Sequence, residues 1–232
     1  MQRKRLFLLF AGLLLGLYFG TPAAAGADDL KGRLQLLAKG GKGPARGADL
    51  REAVIYYEPV SAQPVRPPAE PFVMTTERKE FVPRVLAVPR GSRVRFPNSD
   101  PILHNVFSVA KENSFDLGLY RKGPGKEKKL TEPGLVRVYC NVHHDMVGYI
   151  LVLDTPYFTS ADANGEFVLK GLPRGQGRLT IWHEQADPWT VDLQLPAASP
   201  VAARIEVVRP QVPPHLNKSG ETYFRRDRYK NR

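Results

Sequence analysis

The chain has one cysteine in 232 residues, Cys140, so no disulfide can form within it. Histidine and methionine are also scarce, at five and three, and neither forms a rich tract. Beyond the N-terminal stretch no apolar run is long enough to cross a membrane. Acids are outnumbered: 23 Asp and Glu stand against 34 Lys and Arg, a formal net charge of +11. A basic balance favours an acidic partner or an anionic surface. Residues 73–154 show no convincing helical pattern.

The N-terminus reads as an export signal. Arg3, Lys4 and Arg5 precede a fifteen-residue apolar run, Leu6 to Gly20. Ala23 to Ala27 then offers two overlapping Ala-x-Ala cleavage sites. Residues 1–25 are taken as the signal, with cleavage also possible after 27. The run falls short of the roughly 20 apolar residues of a spanning helix, so an uncleaved anchor is the minority reading. Removing the signal lowers the net charge from +11 to +8. The expectation is a periplasmic or exported protein that does not meet nucleic acid. In an oxidising compartment a lone thiol is a liability unless buried or bound. Metal ligation would commit it.

The rest of the chain divides by pattern. Short strands are predicted at Lys31–Leu36 and Ala53–Tyr57, within a segment 30–60. Residues 61–71 are a proline-rich linker. Residues 72–154 are a run of short strands: Phe81–Val88, Arg93–Phe96, His104–Val109, Leu135–Cys140 and Gly148–Leu153. Glycine and proline turns separate them, as in a sandwich or barrel. Arg121–Lys129 reads as a basic, glycine-punctuated loop. Residues 155–208 form a further small β domain, with turns at Asp162–Gly165 and Leu172–Gly175. Residues 209–232 read as a disordered basic tail.

The chemistry concentrates in Tyr139-Cys140-Asn141-Val142-His143-His144-Asp145-Met146. A thiolate, an imidazole and a thioether within seven residues suit copper shuttling between Cu(I) and Cu(II). Cys140 ends a strand and would be the strongest equatorial donor. His143, three residues on, can turn back to the same ion. Met146 suits a long axial bond. A second imidazole must come from elsewhere, and His104 behind the turn at Pro101 is the candidate. Asn105 could hydrogen-bond across to the Cys140 loop and hold the two segments together. His144 competes with His143, which is favoured because two-residue gaps on both sides make a compact loop. Zinc is the alternative metal, but it has no use for the methionine. His183 reads as an ordinary strand-end histidine, and His215 sits in the tail.

Val88–Asn98, His104-Asn105-Val106, Pro133-Gly134 and Tyr139–Gly148 together resemble the cupredoxins. The ligand loop is similar to the short one of amicyanin, and the chain looks like plastocyanin-like or methylamine-utilisation-type bacterial proteins. The resemblance covers about residues 72–154. It implies a Greek-key β-sandwich with one type 1 (blue) copper held by His104, Cys140 and His143 equatorially and Met146 axially. A second likeness, over Thr159–Trp182, is to carboxypeptidase regulatory-like domains, small transthyretin-like or Ig-like sandwiches without catalytic groups. The expected fold class is therefore all-β, with a cupredoxin sandwich plus a small second one. The favoured arrangement inserts the first into the second, so that 30–60 and 155–208 form one discontinuous domain. Two consecutive domains are the alternative.

The function expected is one-electron transfer by a monomer, not an enzyme. His143 would be the electron port, with Val142, Val147 and Ile102 around it as a docking surface. The basic 121–129 segment would steer an acidic redox protein such as a c-type cytochrome or a dehydrogenase. A periplasmic copper carrier is the second reading, weakened by the want of Met or His clusters. Multicopper oxidases and copper nitrite reductases need further His-rich sites, which five histidines do not supply.

Overall fold

Val136 and Val138 alternate with Leu135, Arg137 and Tyr139, and such period-two stretches recur from Ala27 to Glu206. Side chains that alternate across a strand let one face enter a core while the other meets solvent or a second layer. The computed structural model describes residues 27–61 and 63–223, and these form seventeen strands, three short 3₁₀ turns and no α-helix. The signal expected at 1–25 and the cationic segment from Arg225 to Arg232 lie outside the described residues. No described helix is long and apolar enough to cross a membrane.

In chain order the strands are β1 (Ala27–Leu37), β2 (Val54–Pro59), β3 (Phe72–Val73), β4 (Thr75–Glu77), β5 (Glu80–Val82) and β6 (Val85–Pro89). Then come β7 (Arg93–Asn98), β8 (His104–Ser108), β9 (Phe115–Tyr120), β10 (Gly123–Lys129), β11 (Gly134–Tyr139) and β12 (Val147–Leu153). The last are β13 (Phe158–Ser160), β14 (Glu166–Pro173), β15 (Gly175–Trp182), β16 (Trp189–Leu195) and β17 (Val201–Glu206).

They make four sheets in two sandwiches, so the protein is all-β. One sandwich stacks β10-β7-β4-β5, with β3 on β7, against β6-β12-β11-β8-β9. Its core holds Met74, Phe81, Val94, Phe96, Val106, Val136, Val138 and Ile150. The other stacks β14-β1-β17 against β13-β2-β15-β16 around Leu34, Ile55, Tyr57, Phe167, Leu169, Leu179 and Ile181. The first two strands of the chain thus share sheets with the last five.

The two sandwiches also pack on each other. All seven residues of β12 are buried. Ile150 and Val152 enter their own core, while Leu151 and Leu153 pack with Val54 and against Tyr56 and Trp182 of the other sandwich. A strand buried on both faces has no polar side to show, which accounts for the unbroken apolar run.

Two expectations are corrected. Phe81–Val88 is two strands, not one. Pro83 has no N–H to give a ladder, and the chain breaks there. The 121–129 segment is largely strand β10, paired antiparallel with β7. Gly125 makes this possible: its φ is +75°, and a Cβ there would lie 1.8 Å from the Phe96 carbonyl oxygen. Three of the four charges of β10 are also engaged. Glu127 pairs with Arg93 and Arg95. The Lys126 and Lys128 ammoniums donate to the carbonyls of Leu117 and Ser114.

A charged cluster ties the sandwiches together. Arg84, between β5 and β6, puts Nε 2.9 Å from both carboxylate oxygens of Glu184, which follows β15. Its Nη1 donates to the Val147 carbonyl at 3.0 Å and its Nη2 to that of Gln211 at 2.6 Å. Glu52 lies beside this pair. Burial, then the Glu184 charge, push its carboxyl from 4.5 up to about 7, against the pull of Arg84. The folded chain therefore holds a proton near neutrality that the unfolded chain releases. That contribution is fully present below about pH 4.5 and is lost as pH rises through 7. Full linkage would give about 2.5 kcal/mol; solvent screening at this half-buried carboxyl cuts that, and Glu52→Gln is expected to remove about 1 kcal/mol, or about 2–4 °C in Tm, of stability loss between pH 5 and pH 8. Thermal melts at the two pH values check it; an unchanged pH slope would show that Glu52 does not titrate there.

Candidate metal centre

His104 opens β8 and is wholly buried. A buried imidazole needs partners for both nitrogens. Its Nε2 lies 2.8 Å from Asp100 Oδ2. An N–H there leaves Nδ1 with a free lone pair, and Nδ1 lies 3.7 Å from Cys140 Sγ. Asp100 is held in turn. Its carboxylate accepts from the backbone N–H groups of Arg78 at 2.7 Å and Lys79 at 2.9 Å. Those residues sit at φ 54° and 61°, a conformation that costs non-glycine residues energy and is held here by the bonds it makes. Burial works to raise the Asp100 carboxyl. The Lys79 and Arg78 donors and the His104 ring outweigh it and hold Asp100 below the usual carboxylate range. The carboxylate therefore stays charged and fixes the ring.

Cys140 follows β11 and is fully buried, its thiol free. The β11–β12 hairpin closes over it. Cys140 N–H donates to the Met146 carbonyl at 3.2 Å, and Met146 N–H to the His143 carbonyl at 3.1 Å. This tight turn brings His143 Nδ1 to 3.6 Å from the same sulfur. Burial above all, with the Lys79 charge adding to it, lowers the His143 pKa, and Asp100 opposes. The ring is therefore neutral at neutral pH, as a ligand must be. Met146 is 1% exposed and belongs to the same buried cluster as Cys140.

His104, Cys140 and His143 offer ligand atoms within 4.8 Å of one another, the one such trio among the described residues. A metal bonded to sulfur at about 2.3 Å and nitrogen at about 2.0–2.1 Å, at tetrahedral to trigonal angles, sets S···N at roughly 3.5–3.8 Å. The two observed separations, 3.7 and 3.6 Å, fall in that range. The donor set fits a soft or borderline ion.

His144 points elsewhere. It is exposed, with Nδ1 3.0 Å from Asp145 Oδ1, and its ring stacks on His215 at 4.7 Å. His183 is buried, with Nε2 3.2 Å from the Asp49 carbonyl oxygen, while its Nδ1 accepts from Gln185 N–H.

Three site expectations fail. Asn105 does not bond the Cys140 loop; its amide donates to Asp116 Oδ1 at 2.6 Å. Val147 is not on a docking surface; it is 1% exposed, packed with Phe107, Tyr139 and Tyr149. The exposed apolar side chains near the site are Ile102, Leu103 and Val142. The tail is not disordered through 223. Residues 209–223 lie along the sandwich and reach the ligand loop, held by ring stacking and hydrogen bonds that composition does not reveal. Sequence reasoning also missed Asp100, although a carboxylate four residues before a candidate ligand histidine was a usable signal.

No family model matches the chain, and no curated protein does. Solved structures do. An oxidized amicyanin mutant is 22% identical, with 42% of this chain and 99% of that one covered, at a TM-score of 0.34. The reduced Cu(I) form of an amicyanin mutant at pH 4 is 25% identical over 44% of this chain and 99% of its own, at 0.34. A purple cupredoxin from Nitrosopumilus maritimus is 22% identical over 35% and 99%, at 0.30.

Proposed function

We propose that this chain is an exported cupredoxin-type protein that holds one copper ion and passes single electrons between redox proteins. The observation that carries this reading is the trio itself: two imidazole nitrogens at nearly equal distance from one buried sulfur. Copper, when bound, supplies a one-electron Cu(I)/Cu(II) couple. His104, Cys140 and His143 are the equatorial ligands in this proposal and Met146 the axial one. Asp100 fixes the His104 ring. The β11–β12 hairpin holds Cys140 and His143 together, so the donors need not move when the charge at the site changes.

Half-buried His143 is the proposed port, and exposed Ile102, Leu103 and Val142 form the patch beside it. The partner in this reading is an acidic protein such as a c-type cytochrome or a dehydrogenase, met by a basic monomer outside the cytoplasm. The strand partners support setting 72–154 into a second sandwich built from 30–60 and 155–208.

The test is to titrate the metal-free protein with Cu(II). An intense visible thiolate-to-copper band is expected, bleached by a reductant and restored on reoxidation. Tight Cu(I) binding with no stable coloured Cu(II) form would make the protein a copper carrier instead. Zinc binding without copper binding would overturn both.

A further inference from the structure

After β17 the chain does not leave the molecule. The Arg209 guanidinium reaches the Ala186 carbonyl and the Asp187 carboxylate. The Gln211 carbonyl accepts from Arg84, and Val212 packs on the Phe107–Tyr139–Tyr149 cluster. The His215 ring then lies between two others. It stacks on Tyr139 at 4.5 Å and 19°, and on His144 at 4.7 Å and 14°. Tyr223 meets the edges of both histidines, at 5.0 and 5.3 Å.

Its last polar contacts fall on or near the segments that carry the candidate ligands. Lys218 N–H donates to Asn141 Oδ1 at 2.9 Å. Its ammonium donates to Asp116 Oδ2 at 2.7 Å. Asp116 also accepts from Asn105, so the bridge runs from the residue after His104 to the residue after Cys140. The Tyr223 hydroxyl donates to the carbonyl oxygen of Cys140 itself at 3.1 Å. Without these bonds the hairpin tip has little to hold it. Val142, His144 and Asp145 are exposed, and its own closure is two backbone bonds.

We propose that residues 209–223 are a strap that positions the metal ligands, with Lys218 and Tyr223 as its positioning residues. Lys218 sets the separation of the His104 strand and the Cys140 loop. Tyr223 fixes the peptide plane that follows the thiolate. Ligands held this way from outside stay in place while the charge at the centre changes. The part of this concerning copper rests on the reading above; the part concerning the ligand segments does not.

The experiment uses the full mature chain carrying Tyr223→Phe, Lys218→Ala or, as the conservative change, Lys218→Arg. These side chains lie outside both cores, so the variants keep the fold. Amide hydrogen exchange over 104–108 and 140–146 is measured in the metal-free protein. The rate of copper loss to a chelator is measured in the loaded protein. Tyr223→Phe and Lys218→Ala are each expected to speed exchange in those segments about three- to ten-fold, the effect of one lost hydrogen bond. Copper loss should speed up alongside, and Lys218→Arg should restore both. Unchanged exchange would overturn the strap. Faster exchange with unchanged copper loss would overturn its positioning role. If the unaltered protein gives no coloured copper form, the copper reading fails, and the exchange data alone decide whether the strap holds the segments.

Discussion

Cys140→Ser is expected to leave the protein folded and colourless in Cu(II). In the proposed site the thiolate would be the source of the visible band and the strongest donor of the trio. A serine hydroxyl keeps its proton at neutral pH and offers no comparable bond. Cys140 is fully exposed to the core and not to water, so a hydroxyl there costs about 1–3 kcal/mol when it lacks a partner. That is small against a domain's stability, and circular dichroism should show the β signal retained. Copper affinity should fall by more than the roughly 10- to 100-fold that loss of an outer partner brings. Asp100→Asn supplies that comparison: it removes a charge behind His104, not a ligand, and should weaken binding while leaving a coloured site. A coloured Cys140→Ser protein would rule out Cys140 as the ligand.

Arg84→Met is expected to be strongly destabilising. Glu184 has no exposed side-chain surface, and the Arg84 Nε–H is shared between both of its carboxylate oxygens. Burial pushes the Glu184 carboxyl up while Arg84 holds it down. Removing the guanidinium leaves a buried acid to take up a proton or break the packing. It also frees the Val147 and Gln211 carbonyls, one at the base of the ligand hairpin and one in the strap. Losing one partner of a buried pair costs about 3–5 kcal/mol, and the part-exposed Arg84 points to the lower end. Urea unfolding measures it. The loss should shrink in the double variant Arg84→Met/Glu184→Gln, where the fully buried acid is gone and only half-buried Glu52 remains. A double variant as unstable as the single one would show that the guanidinium acts through the carbonyls instead.

Much of this was legible in the sequence. Alternating stretches such as Leu135–Cys140, with glycine and proline turns between them, mark strands because side chains of successive residues face opposite ways. The scarcity of cysteine and histidine made Cys140, His143 and His104 stand out, and the three-residue gap from Cys140 to His143 is what one tight turn spans. What was misread is equally specific. Lys126–Lys129 looks like a loop because glycine and charge suggest turns, yet a sheet edge accepts both when Gly125 supplies a bulge. Asn105 has a partner on β9, and strand pairing is set by the whole sheet.

By itself the sequence determined an all-β chain with one thiol, two imidazoles and a thioether placed to meet, because residue types and spacings are local properties. Only the tertiary structure decided which histidine faces Cys140, why β12 is apolar throughout, and where the chain goes after Glu206. Those outcomes depend on contacts between residues such as Lys218 and Asn141, or Tyr223 and Cys140, separated by 77 and 83 positions. No local pattern records such pairs, because the partners lie far apart in the sequence and meet only in the folded chain.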